Sequence, residues 1–386
     1  MTPHENAARS IGRVLVIFPG ALGDLMCLMP ALAAISRRHR GASVELMARL
    51  ELARLAAGRT VVARGHSIDA REVGELFTEA GAESDETPVN LNARRFFGDF
   101  DRIYSFFASG DRRFRARLAA ATDAEVSFHP FRPAGDGHVS AAYLRAIEID
   151  ETASPANPRL EPTVDDLAAA AGAIAQSKCG SSNLIVIFPG SGSPGKNWPA
   201  DKFAALASKL SLSNRARFAD PHLHPIPYRA RKFNAQSREE DPGSLGFARD
   251  DTKSKKRADK EYERRISNRA SVAVILGPAE MSMEPIFRRS GVPLLKHLDL
   301  PTVAAIARVA SAFVGVDSGV SHLAAAAGAS GVVIFGPTDP ARWRPLAPGA
   351  RGQIEVLRRD PIDSIEPDEV AALIVKICGV ASKIIH

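Results

Sequence analysis

Ala312–Trp343 reads AFVGVDSGVSHLAAAAGASGVVIFGPTDPARW. A short apolar run, AFVGV, ends in an Asp-Ser-Gly turn. A helix of small residues follows, then a second apolar run, GVVIF, and a Gly-Pro-Thr loop. Continuous apolar runs bounded by turn residues suit strands buried on both faces, as in a parallel sheet. Strand, helix, strand in that order is a βαβ unit. Amides exposed at the turn and at the helix start make a seat for an anion. A carboxylate, Asp317, and an imidazole, His322, stand beside that seat. A core requires none of these polar groups in that order, so the stretch marks a ligand site.

The same alternation extends through the chain. Arg13–Phe18 (RVLVIF) is an apolar run ending in Pro-Gly, and Leu25–His39 follows with helical spacing. Val44–Ala48, Val61–Ala63 and Arg102–Phe107 are further candidate strands, with a helix-like stretch at Asp69–Ala82. Near Pro155–Pro162 the composition turns to Pro, Asn and Ser, which marks a linker. Leu184–Phe188 (LIVIF) then opens a second alternating unit, again closed by Pro-Gly. The expected fold class is α/β: two Rossmann-like doubly wound domains, 1–160 and 161–386, facing a central cleft. Ligands in such folds sit at the carboxyl ends of the strands, where both Pro-Gly turns fall.

Composition narrows the class. The chain has 386 residues, 45% hydrophobic and 24% charged, which is ordinary for a water-soluble fold with room for two cores. Its longest apolar runs are strand-sized, so no transmembrane helix is expected. The N-terminus, MTPHENAARSIGR, lacks the pattern of a secretory signal, and the cytoplasm is the expected location. Cys27, Cys179 and Cys378 lie far apart, with no metal-like spacing and no reason to pair. The net charge of +6 is concentrated in one segment: Asn214–Asn268 holds 14 Lys and Arg against 9 Asp and Glu. That segment has no sustained apolar period apart from a possible helical piece at Lys253–Ile266, and it reads as a disordered basic insertion. A folded part near neutrality, with few aromatics among the basic residues, argues against nucleic-acid binding.

Three loops carry the chemistry. Gly20-Ala21-Leu22-Gly23-Asp24 joins the first strand to the first helix; its glycines permit a tight turn and close approach of a ligand. Asp24 falls at the helix start, where an N-terminal cap is the common role for Asp and a cleft-facing general base is the functional alternative. The loop is not a P-loop, lacking the Lys-Ser/Thr pair, and its glycine spacing is not that of a dinucleotide fingerprint. Pro189-Gly190-Ser191-Gly192-Ser193-Pro194-Gly195-Lys196-Asn197-Trp198-Pro199 supplies amides and hydroxyls for phosphate oxygens, with Lys196 as a point charge. Trp198-Pro199 begins the next helix and packs to fix the loop. In the third loop Gly319 permits a close turn after Asp317-Ser318, and His322 lies one helical turn beyond. Asp99-Phe100-Asp101 has the look of a paired-acid metal motif, but acids at the start of the RIYSFF run are the better reading.

With these residues in place the chain resembles glycosyltransferase family 9, the ADP-heptose:lipopolysaccharide heptosyltransferases. The matching pieces are GALGDLMCLMPAL at Gly20–Leu32, FPGSGSPGKNWP at Phe188–Pro199, and VGVDSGVSHLAAAAG with FGPTDP within Val314–Pro340. FDRIYSFF at Phe100–Phe107 and HVSAAYL at His138–Leu144 are also similar. The likeness covers both halves and omits only Asn214–Asn268. It implies a GT-B fold, with acceptor on the N-terminal domain and nucleotide-sugar donor on the C-terminal one. It implies inverting transfer without a metal or other cofactor, from ADP-heptose to a glycolipid acceptor of the lipid A–core type, at the cytoplasmic face of the inner membrane. Asp24 matches the catalytic acid of the family, which raises the base reading above the cap reading. Ser191, Gly192 and Lys196 match the donor-phosphate loop, and Asp317, Ser318, Gly319 and His322 the second donor-binding turn. Glu280, in the LGPAE run after Ser271–Leu276, matches a ribose-binding acid. The chain departs from many relatives in having Phe18-Pro19 where they carry a basic residue. Two alternatives stand beside this reading: transfer of another sugar or to another acceptor, and a non-catalytic binding protein derived from the same fold.

Overall fold

The computed structural model describes residues 12–77, 91–148, 157–180, 183–217, 271–348 and 352–381. Five strands form the first sheet: β1 (Arg13–Ile17), β2 (Ser43–Ala48), β3 (Arg64–Ser67), β4 (Arg102–Ser105) and β5 (Glu125–Phe128), in the order β3-β2-β1-β4-β5. Six form the second: β6 (Leu184–Phe188), β7 (Ser271–Leu276), β8 (Leu294–Lys296), β9 (Ala312–Val316), β10 (Gly331–Phe335) and β11 (Ile354–Arg358), in the order β11-β10-β9-β6-β7-β8. Every pairing is parallel. In each sheet the chain order reverses at the central strand, next to β1 and next to β6, which puts a crevice at the carboxyl end of each. These are the two doubly wound α/β domains expected from the alternation.

The central strands are buried along their whole length because helices cover both faces. All five residues of β6, β9 and β10 are buried. One face of the first sheet packs Leu15, Ile17 and Ile103 against Phe97, Phe114 and Leu118. The other packs Val14 and Val16 against the Leu22–Arg38 helix, and this core runs on into Phe188, Phe313 and Ala324 of the second sheet's domain. The two halves therefore share buried apolar surface, which holds them by the hydrophobic effect as a single core holds its layers. A two-pronged ion pair adds to the seam, with Arg59 Nε and Nη2 donating to Asp166 Oδ2 and Oδ1 at 2.6 and 2.7 Å.

Two local expectations are corrected. Val61–Ala63 is not a strand. Val62 is fully buried but bonds locally, its amide donating to Thr60 Oγ1 and its carbonyl accepting from Gly58; only the Ala63 amide reaches β2, donating to the Val44 carbonyl at 2.8 Å, and β3 itself runs from Arg64. A short apolar run can plug a core without joining a sheet, and its period does not distinguish the two. The helix expected at Asp69–Ala82 is one turn, Arg71–Gly74, with residues from 78 on outside the described ones. The helix after the Gly-Ser loop is Ala200–Arg217, so it continues through the first residues of Asn214–Asn268. The remainder of the expected insertion, and its possible helix at Lys253–Ile266, lie outside the described residues.

Asp99 and Asp101 are structural acids. Asp101 Oδ2 accepts from the amides of Gly12 and Arg13 at 2.8 and 2.9 Å, and Asp99 pairs with Arg13 at 3.2 Å. They fix the start of β1 at the end of the sheet away from the crevice. All three cysteines are free thiols.

Candidate functional site

Four loops follow the carboxyl ends of β6, β7, β9 and β10, and they converge. Gly190, after β6, is pressed so closely by Glu280 that a Cβ there would lie 2.2 Å from Glu280 Cγ. Glu280 is held in place by its own turn, Oε2 accepting from the Gly277 amide at 2.9 Å. Lys196 Nζ donates to Asp317 Oδ2 at 2.7 Å, tying the Gly-Ser loop to the turn after β9. Gly336, after β10, faces the carbonyl of Gly195. Parallel strands alone bring these groups together, because every strand points the same way and each loop leaves at the same edge.

The Gly-Ser loop is internally braced. Asn197 Oδ1 accepts both the Ser191 amide and the Ser191 hydroxyl, each at 2.8 Å. Trp198 is fully buried, its Nε1 donating to the Ile365 carbonyl at 3.0 Å and its ring edge-on to Phe203, as the Trp-Pro reading anticipated. The Ser191 amide is thus engaged with Asn197, while Gly192 is exposed, with nothing beyond its chain neighbours within 4 Å of where a Cβ would sit. Asn197 lies inside the quoted motif, and an Asn six residues after a Ser in a glycine loop is a legible bracing signal that the sequence reading passed over.

The turn after β9 is built for close packing. Ser318 caps the Gly319–Ala326 helix through its backbone, and its hydroxyl lies 3.2 Å from that of Ser321. Ser321 donates to the Val316 carbonyl at 2.7 Å across Gly315, where a Cβ would meet the same hydroxyl at 2.3 Å. Asp317 and Ser318 are buried at the base of the loop cluster. His322, one helical turn on, is buried between the halves, near enough to Asp317 and Lys196 for both charges to act on its ring. Its Nδ1 lies 3.8 Å from Cys27 Sγ, and its ring faces Gly23, both on the N-terminal side. Burial lowers the His322 pKa to about 4, so the ring is neutral at ordinary pH, and burial pushes the Cys27 thiol up to about 12. His322 is thus a contact between the two halves.

Asp24 stands on the N-terminal side of that contact. The helix it opens is Leu22–Arg38, and its Oδ2 accepts from the Ala21 amide at 3.1 Å. Asp24 is therefore not the N-cap weighed from the sequence: that residue is Ala21, and Asp24, third in the helix, closes the turn by accepting the Ala21 amide while remaining half-exposed. The two helices that begin at these turns, Leu22–Arg38 and Gly319–Ala326, abut directly at Gly23 and Gly319. Wall residues around Asp24 are aromatic: Phe18 meets Phe106, Phe131 and Tyr143 edge-on at 5.7 to 6.0 Å. Among the described residues, no group of three or more His, Cys, Asp or Glu is arranged to hold a metal ion.

Comparison with known proteins agrees with this layout. The sequence model of glycosyltransferase family 9 (heptosyltransferase) matches residues 265–359, which include β7 to β11, Glu280 and the Asp317–His322 turn. No curated protein matches the chain. Among solved structures, a glycosyl transferase family 9 protein from Veillonella parvula is 14% identical, with a TM-score of 0.64 over 96% of this chain and 99% of that one. ADP-heptose lps heptosyltransferase II of E. coli is 15% identical, TM-score 0.58, over 95% and 98%. E. coli heptosyltransferase WaaC with ADP is 15% identical, TM-score 0.56, over 95% and 99%. At such identities the structural likeness speaks to the fold, and both described halves share it. Residues 265–359 match glycosyltransferase family 9, and the described residues take a GT-B fold shared with solved heptosyltransferases.

Proposed function

We propose that the protein is an inverting, metal-independent glycosyltransferase that moves heptose from ADP-heptose to a lipopolysaccharide-core type of acceptor. The observation that carries this reading is the Lys196–Asp317 pair, set among Gly192, Glu280 and Ser318 and reached from the other half by the helix bearing Asp24. The family 9 match over the same turn supports it. The C-terminal half takes the donor and the N-terminal half, up to about residue 160, takes the acceptor.

The chemistry follows from the residues. The acceptor hydroxyl gives its proton to the Asp24 carboxylate while its oxygen bonds to the anomeric carbon. The bond from that carbon to the diphosphate breaks on the opposite face, through an oxocarbenium-like state, and inverts the configuration. ADP leaves with its added charge on the diphosphate. Lys196, freed from Asp317 by the stronger charge-assisted bonds to phosphate, and the open Gly192 amide stabilise that charge in a site partly removed from water. Glu280, beside Gly190, accepts from ribose hydroxyls. Asp317, Ser318 and Gly319 line the sugar side.

No helix among the described residues is long and apolar enough to cross a membrane. A glycolipid acceptor then requires the protein to work as a peripheral visitor at the cytoplasmic face of the inner membrane. The test is a transfer assay with ADP-heptose, UDP-glucose and GDP-mannose against a lipid A–core acceptor. Product from ADP-heptose alone is expected; product from only another donor would replace the donor assignment, and product from none would reject the enzyme reading.

A further inference from the structure

Further along the loop that follows β10, the two halves exchange hydrogen bonds at a second place. Arg342, in the PARW turn that follows the Gly-Pro-Thr loop, donates from Nη1 to the Gly135 carbonyl at 2.6 Å and from Nη2 to the Pro133 carbonyl at 3.3 Å. His138, at the end of that same N-terminal loop, reaches back: its Nε2 donates to the Arg344 carbonyl at 2.8 Å. The Nδ1 of the same ring accepts the Ser140 amide at 3.2 Å, so His138 is also the N-cap of the Val139–Ala146 helix. The loop is tied to its own half by Arg145, which donates to the Asp136 carbonyl at 3.0 Å.

The Val139–Ala146 helix lies against the Leu22–Arg38 helix, whose first turn carries Asp24. Tyr143 of the former touches Phe18, the residue that leads into the Gly20–Asp24 loop. A rigid path therefore runs from the Arg344 carbonyl through His138 and its helix to the element that bears Asp24. Side chains packed at interior density transmit position in this way, because they cannot deform continuously.

We propose that Arg342 and His138 form a reciprocal clasp between the halves and are positioning residues that set the approach of Asp24 to the donor loops. The inference rests on the function proposed above for its catalytic part only. Neither residue needs to touch the donor. Arg342 addresses two backbone carbonyls with a planar fork, which a lysine reproduces only in part.

The experiment uses the full chain labelled with one spin probe in each half, together with calorimetric titration of ADP. Arg342→Ala and His138→Asn are compared with wild type. Asn at position 138 keeps an N-cap for Val139–Ala146 but cannot span to Arg344. The expected result is a longer and broader distance distribution between the halves in both variants, with ADP affinity within about twofold of wild type. The transfer rate at saturating donor falls roughly ten- to a hundredfold, and Arg342→Lys recovers part of it. An unchanged distance distribution overturns the clasp. A lost ADP affinity overturns the positioning role in favour of donor contact, and a widened seam with an unchanged transfer rate overturns it outright. If wild type transfers no heptose, the functional reading fails while the distance measurement still decides the clasp.

Discussion

Gly23 and Gly319 meet backbone to backbone across the seam between the halves, and the contact is asymmetric. A Cβ on Gly319 would lie 2.9 Å from Leu22 Cβ and 3.0 Å from the Gly23 amide nitrogen. A Cβ on Gly23 would find Gly319 Cα at 3.5 Å and His322 Cδ2 at 3.7 Å, both ordinary van der Waals distances. The residue before Asp24 and the residue after Ser318 thus set how near the two turns come.

Gly319→Ala is expected to push the turns apart and lower the transfer rate by roughly tenfold or more, since reacting groups tolerate little misplacement. Gly23→Ala is expected to stay within about threefold of wild type, because its added methyl meets only normal contacts. Initial rates for the two variants check this directly. Equal effects would show that the seam is not the limiting contact.

The Lys196–Asp317 pair predicts opposite outcomes for its two members. Lys196→Ala removes a cation from the proposed diphosphate site, and ADP is expected to bind about tenfold more weakly or worse. Asp317→Asn frees the ammonium and removes a carboxylate that repels a diphosphate, so ADP is expected to bind as tightly as to wild type or more tightly. Calorimetry with ADP measures both. Weaker binding in Asp317→Asn would mean that the pair is needed to shape the loop.

Arg59 and Asp166 give the fold an acid-sensitive component. The Arg59 guanidinium is the main cause that lowers the Asp166 pKa from its ordinary 3.8, with the Thr163 amide and hydroxyl helping against burial. A carboxylate depressed in the folded state adds stability that is complete above its unfolded value and is lost as pH falls through the folded one. Asp166→Asn is therefore expected to cost about 3 kcal/mol at neutral pH and to flatten the loss of stability below pH ~4. Urea melts across that range test it; an unaltered acid slope would contradict it.

His322 acts in a different pH window. Burial holds its pKa near 4 against an ordinary 6.5, so the unfolded chain takes up a proton that the folded chain refuses. Stability is full above pH 6.5 and falls as pH drops from 6.5 toward 4. His322→Gln should flatten the curve in that interval and leave the region below it unchanged. A curve of wild-type shape between those values would contradict the buried neutral ring.

The central strands and the three loops were legible because their signals are local. RVLVIF and LIVIF end in Pro-Gly and fall at the crevice edge, and Trp198 packs where its motif suggests. Asp24 was read as an N-cap or a base; it is the third residue of its helix, where its carboxylate accepts the amide of the N-cap residue Ala21. Partners distant in sequence were not legible. Lys196 and Asp317 are 121 positions apart, and nothing in either motif names the other. His322 was read together with the Asp317–Ser318 turn, and its contact with Cys27, 295 positions away, was not legible. Arg342 and His138 both lie in quoted motifs but drew no role for the same reason: each is an ordinary polar residue until the halves are brought together. Val61–Ala63 failed as a strand because burial and apolarity do not by themselves make a ladder.

The most direct test of the reading is the single-turnover rate of Asp24→Asn with ADP-heptose and a lipid A–core acceptor. Asparagine keeps an oxygen to accept the Ala21 amide, so the helix start survives while the base is removed. The rate is expected to fall about 10²- to 10⁴-fold with ADP binding and thermal stability unchanged. A rate near that of wild type would contradict the assignment and leave Asp24 to close the helix turn alone.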